Sequence, residues 1–580
     1  MPEYLAPGVY VEETSFRSKS IEGVSTTTTG FIGPCRYGPL DIEPDILTSL
    51  ADFEAVYGDR QKLEFSQGAE ELDNYLWHAV RAFFDEGGKR LYVVRVFRPG
   101  SLSPGWGTAK VPDKEIHPNA ATVELQFPSS VCVRSRFPGA AGNLQISFTL
   151  RLSQNVLTQQ SQLQGQSKVL VNTVKSLLNN DVVLISHGQS PPHSPPSAND
   201  FYLAAFDPVL QNWTFHPNSV SPLASSTISL SQLHPELGDR VQAVTLTVTV
   251  LPTDESGFSQ VWADLPLDPN HVRAGAPDSL SAKFAPIPAS RDQARSLPIV
   301  VTLGDAVDSG LQVLNALFAA KPELPSHLED PKSTDADRSY NFALAGGNDG
   351  ERPESSDYEG TAELDSNVKT GLKAFEDIED ISILAAPGST FGFDTQGYGI
   401  QAQSIVNLLI THATLMRYRI AVLDSGNGQT IAQVRAMRGQ IDSTYAALYY
   451  PWIRVVDPVT NQELELPPSG FVAGIYARND INRAVYKAPA NEVVNLAIGF
   501  EKLLNKSQQD VLNPEGINCF RFFEGRGYRL WGARTVSSDP EWKYVNLRRY
   551  FAYLERSIDK GTQWAVFEPN GELLWGNVRR

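Results

Sequence analysis

Between residues 525 and 551 the chain reads GRGYRLWGARTVSSDPEWKYVNLRRYF. Six basic residues (Arg526, Arg529, Arg534, Lys543, Arg548, Arg549) are interleaved with six aromatic ones, and only Asp539 and Glu541 are acidic. Arginines beside aromatic rings support three kinds of chemistry: gripping nucleic acid, pairing with a partner's carboxylates, or locking a core through stacked and forked pairs. Residues 516–580 carry eleven basic and seven acidic side chains, a balance of +4, which leaves −21 for the rest of a chain whose net charge is −17. A basic island on an acidic molecule argues against general nucleic-acid or anionic-membrane binding, which needs a broad cationic footprint.

Enzymatic chemistry finds few residues to use. LAGGNDG (344–350) and DSGNG (424–428) follow predicted strands, where nucleotide loops sit, but neither matches a phosphate-binding loop or a dinucleotide fingerprint. Turn glycines explain both, and the glycines of GRGYRLWG are spaced wrongly for either motif. No nucleophile elbow and no HExxH is present. Residues 335–580 hold a single histidine, His412, set among Leu408, Leu409, Ile410 and Leu415, where a packed core histidine is expected. The carboxylates of FEDIED (375–380) read as a solvated helix end, and no metal ligands stand at usable spacing. The expectation is no enzyme, no catalytic residue, no cofactor and no metal. Cys35, Cys132 and Cys519 are too few and too scattered for a disulfide framework, which suits a reducing compartment. No apolar run approaches the length of a membrane span, and the start lacks the pattern of a signal peptide.

The elements that must position these residues are legible in part. Residues 1–24 read as an extended arm in which Tyr4, Val9, Tyr10 and Val11 favour a strand that has no local partner. YLWHAVRAFFDEGG (75–88) reads as a helix ending at its glycines, and LYVVRVF (91–97) as a strand. From 101 to 334 period-two runs such as NLQISFTLRL and AVTLTVTVL argue strands, while the glutamine-rich SQNVLTQQSQLQGQS and the proline-rich SHGQSPPHSPPSAND read as exposed loops or linkers. From 340 to 460 short apolar strands alternate with helices, the pattern of a largely parallel sheet covered on both faces. VNLRRYFAYLERSI (545–558) is the clearest helix, with Leu547, Phe551, Leu554 and Ile558 on one stripe. The fold class expected is therefore α/β and α+β multidomain, with an α/β core, a β-rich insertion and an extended N-terminal arm.

Several stretches taken together resemble the tail sheath proteins of contractile phage tails and phage-tail-like injection systems. They include APGVYVEE (6–13), TTGFIGPCRYGP (28–39), LTSLADFEAVYG (47–58), FFDEGGKRLYVVRV (83–96) and FPGAAGN (137–143). Further along come LAGGNDG, YEG (358–360), GLKAFEDIEDISILAAPG (371–388), PPSGFVAGIYARND (467–480), YKAPAN (486–491), LNPEGIN (512–518), GRGYRLWGART (525–535), WKYVNLRRYF (542–551) and WAVFEPN (564–570). The resemblance implies a structural subunit that stacks as six-membered rings around an inner tube and contracts to drive that tube through a target membrane. Its implied partners are copies of itself, the inner tail tube protein, and baseplate and tail terminator proteins, with no nucleic acid and no direct membrane insertion. It implies assembly in a bacterial cytoplasm into a phage tail or related particle. The implied division is an arm (1–24) exchanging a strand with a neighbour, the first part of the core (25–150), a variable outer insertion (151–334), an α/β domain (335–466) and an inner domain facing the tube (467–580).

Arg549 and Arg556, seven residues apart, share a face of the 545–558 helix, with Lys560 near the same line beyond its end, and on the sheath reading the three touch the tube or an acidic patch of a neighbouring subunit. Arg526, Arg529 and Arg534, alternating with Tyr528 and Trp531, lock the fold. Sheath proteins usually run on past FEPN…LW into another helix and strand, whereas this chain stops at LLWGNVRR. That leaves open a naturally short member, a truncated product or a chain completed by a second polypeptide. The alternatives are a sheath-like non-contractile or truncated assembly protein, and a hydrolase on the α/β sheet.

Overall fold

The computed structural model describes residues 21–65, 70–100, 122–124, 131–164, 167–188, 196–217, 226–252, 259–287, 290–304, 307–362, 368–395 and 397–579. The arm residues Tyr4, Val9, Tyr10 and Val11 lie outside the described residues.

Short apolar runs bounded by turn residues build one nine-stranded sheet. Its order is Ile46–Leu47, Leu91–Arg95, Thr29–Gly33, Ile383–Ala385, Ile420–Asp424, Ala446–Tyr450, Ile517–Phe523, Gly527–Leu530 and Glu492–Val493. The six strands from Leu91–Arg95 to Ile517–Phe523 run parallel, and the outer pairings are antiparallel. Both faces are covered, which is why these strands are apolar throughout instead of alternating. Phe31, Phe83, Tyr449, Phe471 and Tyr476 fill one side. Ile32, Leu384, Leu409, Leu423 and Met437 fill the other.

Two helices pack tightly together on the first side. Tyr75–Asp85 starts where the Asn74 side chain accepts from the Trp77 N–H and stops at Gly87, whose φ of 107° suits glycine. Ser469–Asn482 is buried almost all round and lies against it without intervening side chains. A Cβ at Gly470 would come within 2.6 Å of Ala79 Cα, and one at Gly474 within 2.6 Å of the Phe83 carbonyl oxygen. This close approach carries the polar end of the second helix, with Asp480, to the start of the parallel strands.

A second core belongs to the insertion. An eight-stranded antiparallel sheet runs through Gln145–Leu152, Val182–Ser186, Phe201–Asp207, Arg240–Leu251 and Ser339–Ala343, with helix Gly310–Ala320 packed on it. The boundaries expected at 150 and 334 are corrected by this sheet. The first cuts through strand Gln145–Leu152, and the second leaves out Ser339–Ala343, which pairs with that strand. Nor do residues 467–580 form a unit apart, since Ile517–Phe523 is hydrogen-bonded beside Ala446–Tyr450 in the main sheet. The neck of the insertion is where FPGAAGN meets LAGGNDG. Asn143 Nδ2 donates to the Gly347 carbonyl, Gly347 N–H donates back to Asn143 Oδ1, and Asp349 accepts from the Ala140 N–H, each at 2.9 Å.

The glutamine-rich stretch is not a loop. It forms a paired hairpin, Leu157–Gln164 with Ser167–Val174, in which Thr158 faces Thr173 and Gln159 faces Asn172. Cross-strand polar pairs supply what apolar alternation usually signals.

Candidate interaction surface

Helix Val545–Thr562 crosses the starts of the parallel strands, near Ser382, Ile420 and Tyr445. Its stripe of Leu547, Phe551, Leu554 and Ile558 is the apolar side, of the kind that in a surface helix usually faces a core. The structure turns it the other way. Leu547, Phe551 and Ile558 are exposed, while Arg548, Arg549 and Arg556 are buried.

Each buried arginine has its partners. Arg549 forks onto Asp480, with Nη1 at 3.0 Å from Oδ1 and Nη2 at 2.7 Å from Oδ2, and Nη2 also donates to the Thr26 carbonyl at 2.8 Å. The guanidinium stacks 4.8 Å from the Tyr476 ring centre. Side-chain exposure is 4% for Arg549 and 3% for Asp480, so water cannot replace either partner. Arg556 pairs with Asp380 at 3.0 Å. Arg548 lies between the rings of Trp542 and Tyr445, at 4.2 and 4.7 Å, and reaches Glu555 at 3.2 Å. The assignment of Arg549 and Arg556 to an outer partner is corrected accordingly: within this chain they are spent on Asp480 and Asp380. Lys560 does stand at the surface, 3.4 Å from Asp380 and 3.6 Å from Glu379, two carboxylates of the FEDIED run.

The chain enters the body along this buried face. Val24 N–H donates to Ser557 Oγ at 3.3 Å, Thr26 Oγ1 donates to Asp480 at 2.6 Å, and Ile21 lies against Gly561, where a Cβ would meet it at 2.9 Å. Residues 21–26 thus run antiparallel to the helix, toward its C-terminal end as the chain is followed back. Sequence reasoning missed Asp480, Asp380 and Thr26. The only signal was the polar ARND ending an otherwise apolar helix.

Of the three arginines expected to lock the fold, Arg526 is exposed at the turn after Ile517–Phe523, Arg529 is half-buried in strand Gly527–Leu530, and Arg534 is half-buried beyond that strand. Arg526 donates to Asn491 Oδ1 at 2.7 Å and lies 5.6 Å from the Trp531 ring centre. Arg529 donates to the Asn491 and Arg526 carbonyls at 2.8 and 3.1 Å. Arg534 lies 5.6 Å from the Tyr544 ring centre, and Trp531 packs 4.5 Å from Phe523. These contacts tie Arg526 and Arg529 to Asn491 and Arg534 to Tyr544, through rings and amides and not through carboxylates.

His412 is buried and accepts from Arg419 Nη1 at 2.6 Å. Burial and the neighbouring charge push its pKa down to about 3, so it stays neutral as an acceptor should. At the opposite ends of the strands the positions for a nucleotide loop are filled by packing. Tyr75, Phe391 and Trp452 contact one another there, and Trp452 Nε1 and Thr390 Oγ1 both donate to the Ser425 carbonyl, at 2.7 and 2.9 Å. Among the described residues no helix is long and apolar enough to cross a membrane, and no group of three or more potential ligands could hold a metal ion.

Residues 358–536 match the family described as the phage tail sheath protein central domain. The chain is 26% identical over 276 residues to a tail sheath protein of Burkholderia phage BcepMu, covering 44% of this chain and 53% of that one. It is 30% identical over 153 residues to a putative prophage major tail sheath protein of Pseudomonas aeruginosa, covering 25% of this chain and 39% of that one. The chain thus spans about half or less of the length of these relatives. Among solved structures, the contracted helical sheath of the anti-feeding prophage is 32% identical over 38% of this chain and 57% of its own, with a TM-score of 0.30. The contracted PVC sheath complex of an extracellular contractile injection system is 30% identical over 37% and 57%, with a TM-score of 0.31.

Proposed function

Since this chain belongs to the tail sheath family, carrying its central domain over residues 358–536, we propose that it is a structural subunit of a contractile tail or injection-system sheath. Copies stack as six-membered rings around an inner tube, and contraction of the stack drives the tube through a target membrane. The observation that carries this reading is that central-domain match, which spans the middle of the main sheet from Ile383–Ala385 to Ile517–Phe523. The exposed apolar face of helix Val545–Thr562 supports it, because such a face on a monomer marks a surface meant for another chain. A heterologous contact repeated from copy to copy yields a ring or a helix, and both are needed here.

In this assembly the arm with Tyr4, Val9, Tyr10 and Val11 adds a strand to a neighbouring subunit, so that rings stay linked as they slide. Residues 21–26 anchor it, being held along helix Val545–Thr562 by Ser557 and Asp480. The segment from 467 onward faces the tube, the insertion lies outside, and Lys560 is the one of the three proposed basic contacts that remains at the surface. Baseplate and terminator proteins close the two ends, the particle is assembled in a bacterial cytoplasm, and the subunit performs no catalysis. Negative-stain microscopy of the purified chain tests this reading. Rings or helical tubes are expected, and monodisperse monomers at high concentration would overturn it.

A further inference from the structure

Guanidinium groups converge where helix Val545–Thr562 crosses the strand starts. Arg419, Arg548, Arg549 and Arg556 line one cavity of about 20 Å3, together with Ser25 of the entering segment and Ser382 before strand Ile383–Ala385. All four arginines are buried. No carboxylate among the described residues lines the cavity. We propose that it binds one monatomic anion of chloride size, which supplies Arg419 and Arg556 with a shared counter-charge.

The carboxylates nearby leave these arginines under-compensated. Asp480 is buried and balances Arg549. Asp380 and Glu555, which reach Arg556 and Arg548, have side chains 45 and 46% exposed, so solvent screens them. Arg419 forms no ion pair among the described residues. Its guanidinium donates to the Ile381, Phe375 and Ile378 carbonyls and to His412, all of them neutral. Burial and then the charge of Arg556 pull its pKa down to about 10, which Glu376 and Glu379 offset only in part. A charge inside a protein needs a counter-charge, because the interior screens it poorly. Arg548 Nε is also buried and donates to no acceptor. Water in the cavity would accept N–H bonds but bring no charge, whereas an anion does both. The volume selects the ion, since about 20 Å3 holds one water or an ion of similar size. Sulfate, phosphate and organic acids are too large. Bound there, the anion ties Ser25 to the helix and to the strand starts, so the root of the N-terminal segment is held more firmly in chloride. All the groups belong to one chain, and the inference does not rest on the sheath reading.

The test compares the full-length chain in sodium chloride and in sodium gluconate at equal ionic strength. Hydrogen exchange is followed in peptides covering residues 21–26 and helix Val545–Thr562. Opening this region releases the ion, so chloride at ten times its dissociation constant should slow their exchange about elevenfold. The chloride NMR line, broadened by the protein, reports the binding itself. Ala552→Leu fills the cavity, which Ala552 lines, and keeps all four arginines. Arg556→Gln removes one charge and leaves behind only the half-exposed Asp380. Both variants should lose the chloride response and the line broadening, and Ala552→Leu carries the test if Arg556→Gln does not fold. Equal exchange in the two salts would overturn the inference. So would a chloride response that survives in Ale552→Leu, or one that sulfate reproduces in full, since either would mean general screening.

Discussion

Truncating Arg549 to alanine strands the Asp480 carboxylate inside the fold. The pair is almost wholly buried, the fork to Asp480 is lost, and the Thr26 carbonyl loses its donor in the same step. Asp480 keeps the Thr26 hydroxyl, one hydrogen bond for a full charge. Breaking a buried pair from one side costs about 3–5 kcal/mol, because the remaining charge has no solvent to turn to. Asp480→Ala should cost as much. Replacing both, as Arg549→Met with Asp480→Leu, removes the stranded charge and should recover most of the loss. A chain with two cores does not unfold in one step, so the readout must be local. Hydrogen exchange of peptides from Ser469–Asn482 and Val545–Thr562 reports the opening energy of those helices. At about 1.4 kcal/mol per factor of ten, each single variant should speed their exchange by roughly two to three and a half orders of magnitude. Arg529→Ala, in the outer strand Gly527–Leu530, should leave both peptides within about 1 kcal/mol of the parent. Single variants that change exchange by less than about fivefold, or a double variant as fast as the sum of the singles, would refute the account of this helix as anchored by its arginines.

Other consequences are as direct. His271 is buried with Nδ1 at 2.5 Å from Asp278 and Nε2 at 3.2 Å from Asp181. Burial alone would lower its pKa, but the hydrogen bonds and charges of the two carboxylates override it and raise it. A histidine whose folded pKa lies above its unfolded value of about 6.5 stabilises fully below that value, and the contribution is lost as pH rises through the folded pKa. The insertion should therefore melt at a higher temperature near pH 6 than near pH 8.5, by calorimetry, and His271→Gln should remove this difference. A difference that persists in the variant would exclude His271 as its source. Deleting residues 2–13 should leave soluble subunits that no longer form tubes in the microscope, and normal tubes from that deletion would refute strand exchange by the arm.

By itself, the amino-acid order shows the parallel strands well, because a strand buried on both faces must be apolar at every position. ISILAAPG, RIAVLD and AALYY announce themselves in this way, and all three lie side by side in the main sheet. Helix Tyr75–Asp85 is legible from its spacing and its terminal glycines. The glutamine-rich hairpin is not, since its pairing uses polar cross-strand contacts that mimic a loop in composition. Helix Val545–Thr562 shows the limit most clearly. Periodicity determines which of its residues share a side, placing Leu547 with Phe551 and Ile558. It does not determine which side meets the body. That depends on whether partners exist for the arginines, and those partners lie far away in the chain, Thr26, Asp380 and Asp480 among them. A guanidinium can be buried only where a carboxylate, a carbonyl or a ring waits for it. The tertiary structure brings such groups to Arg548, Arg549 and Arg556, and so the apolar stripe is left facing out.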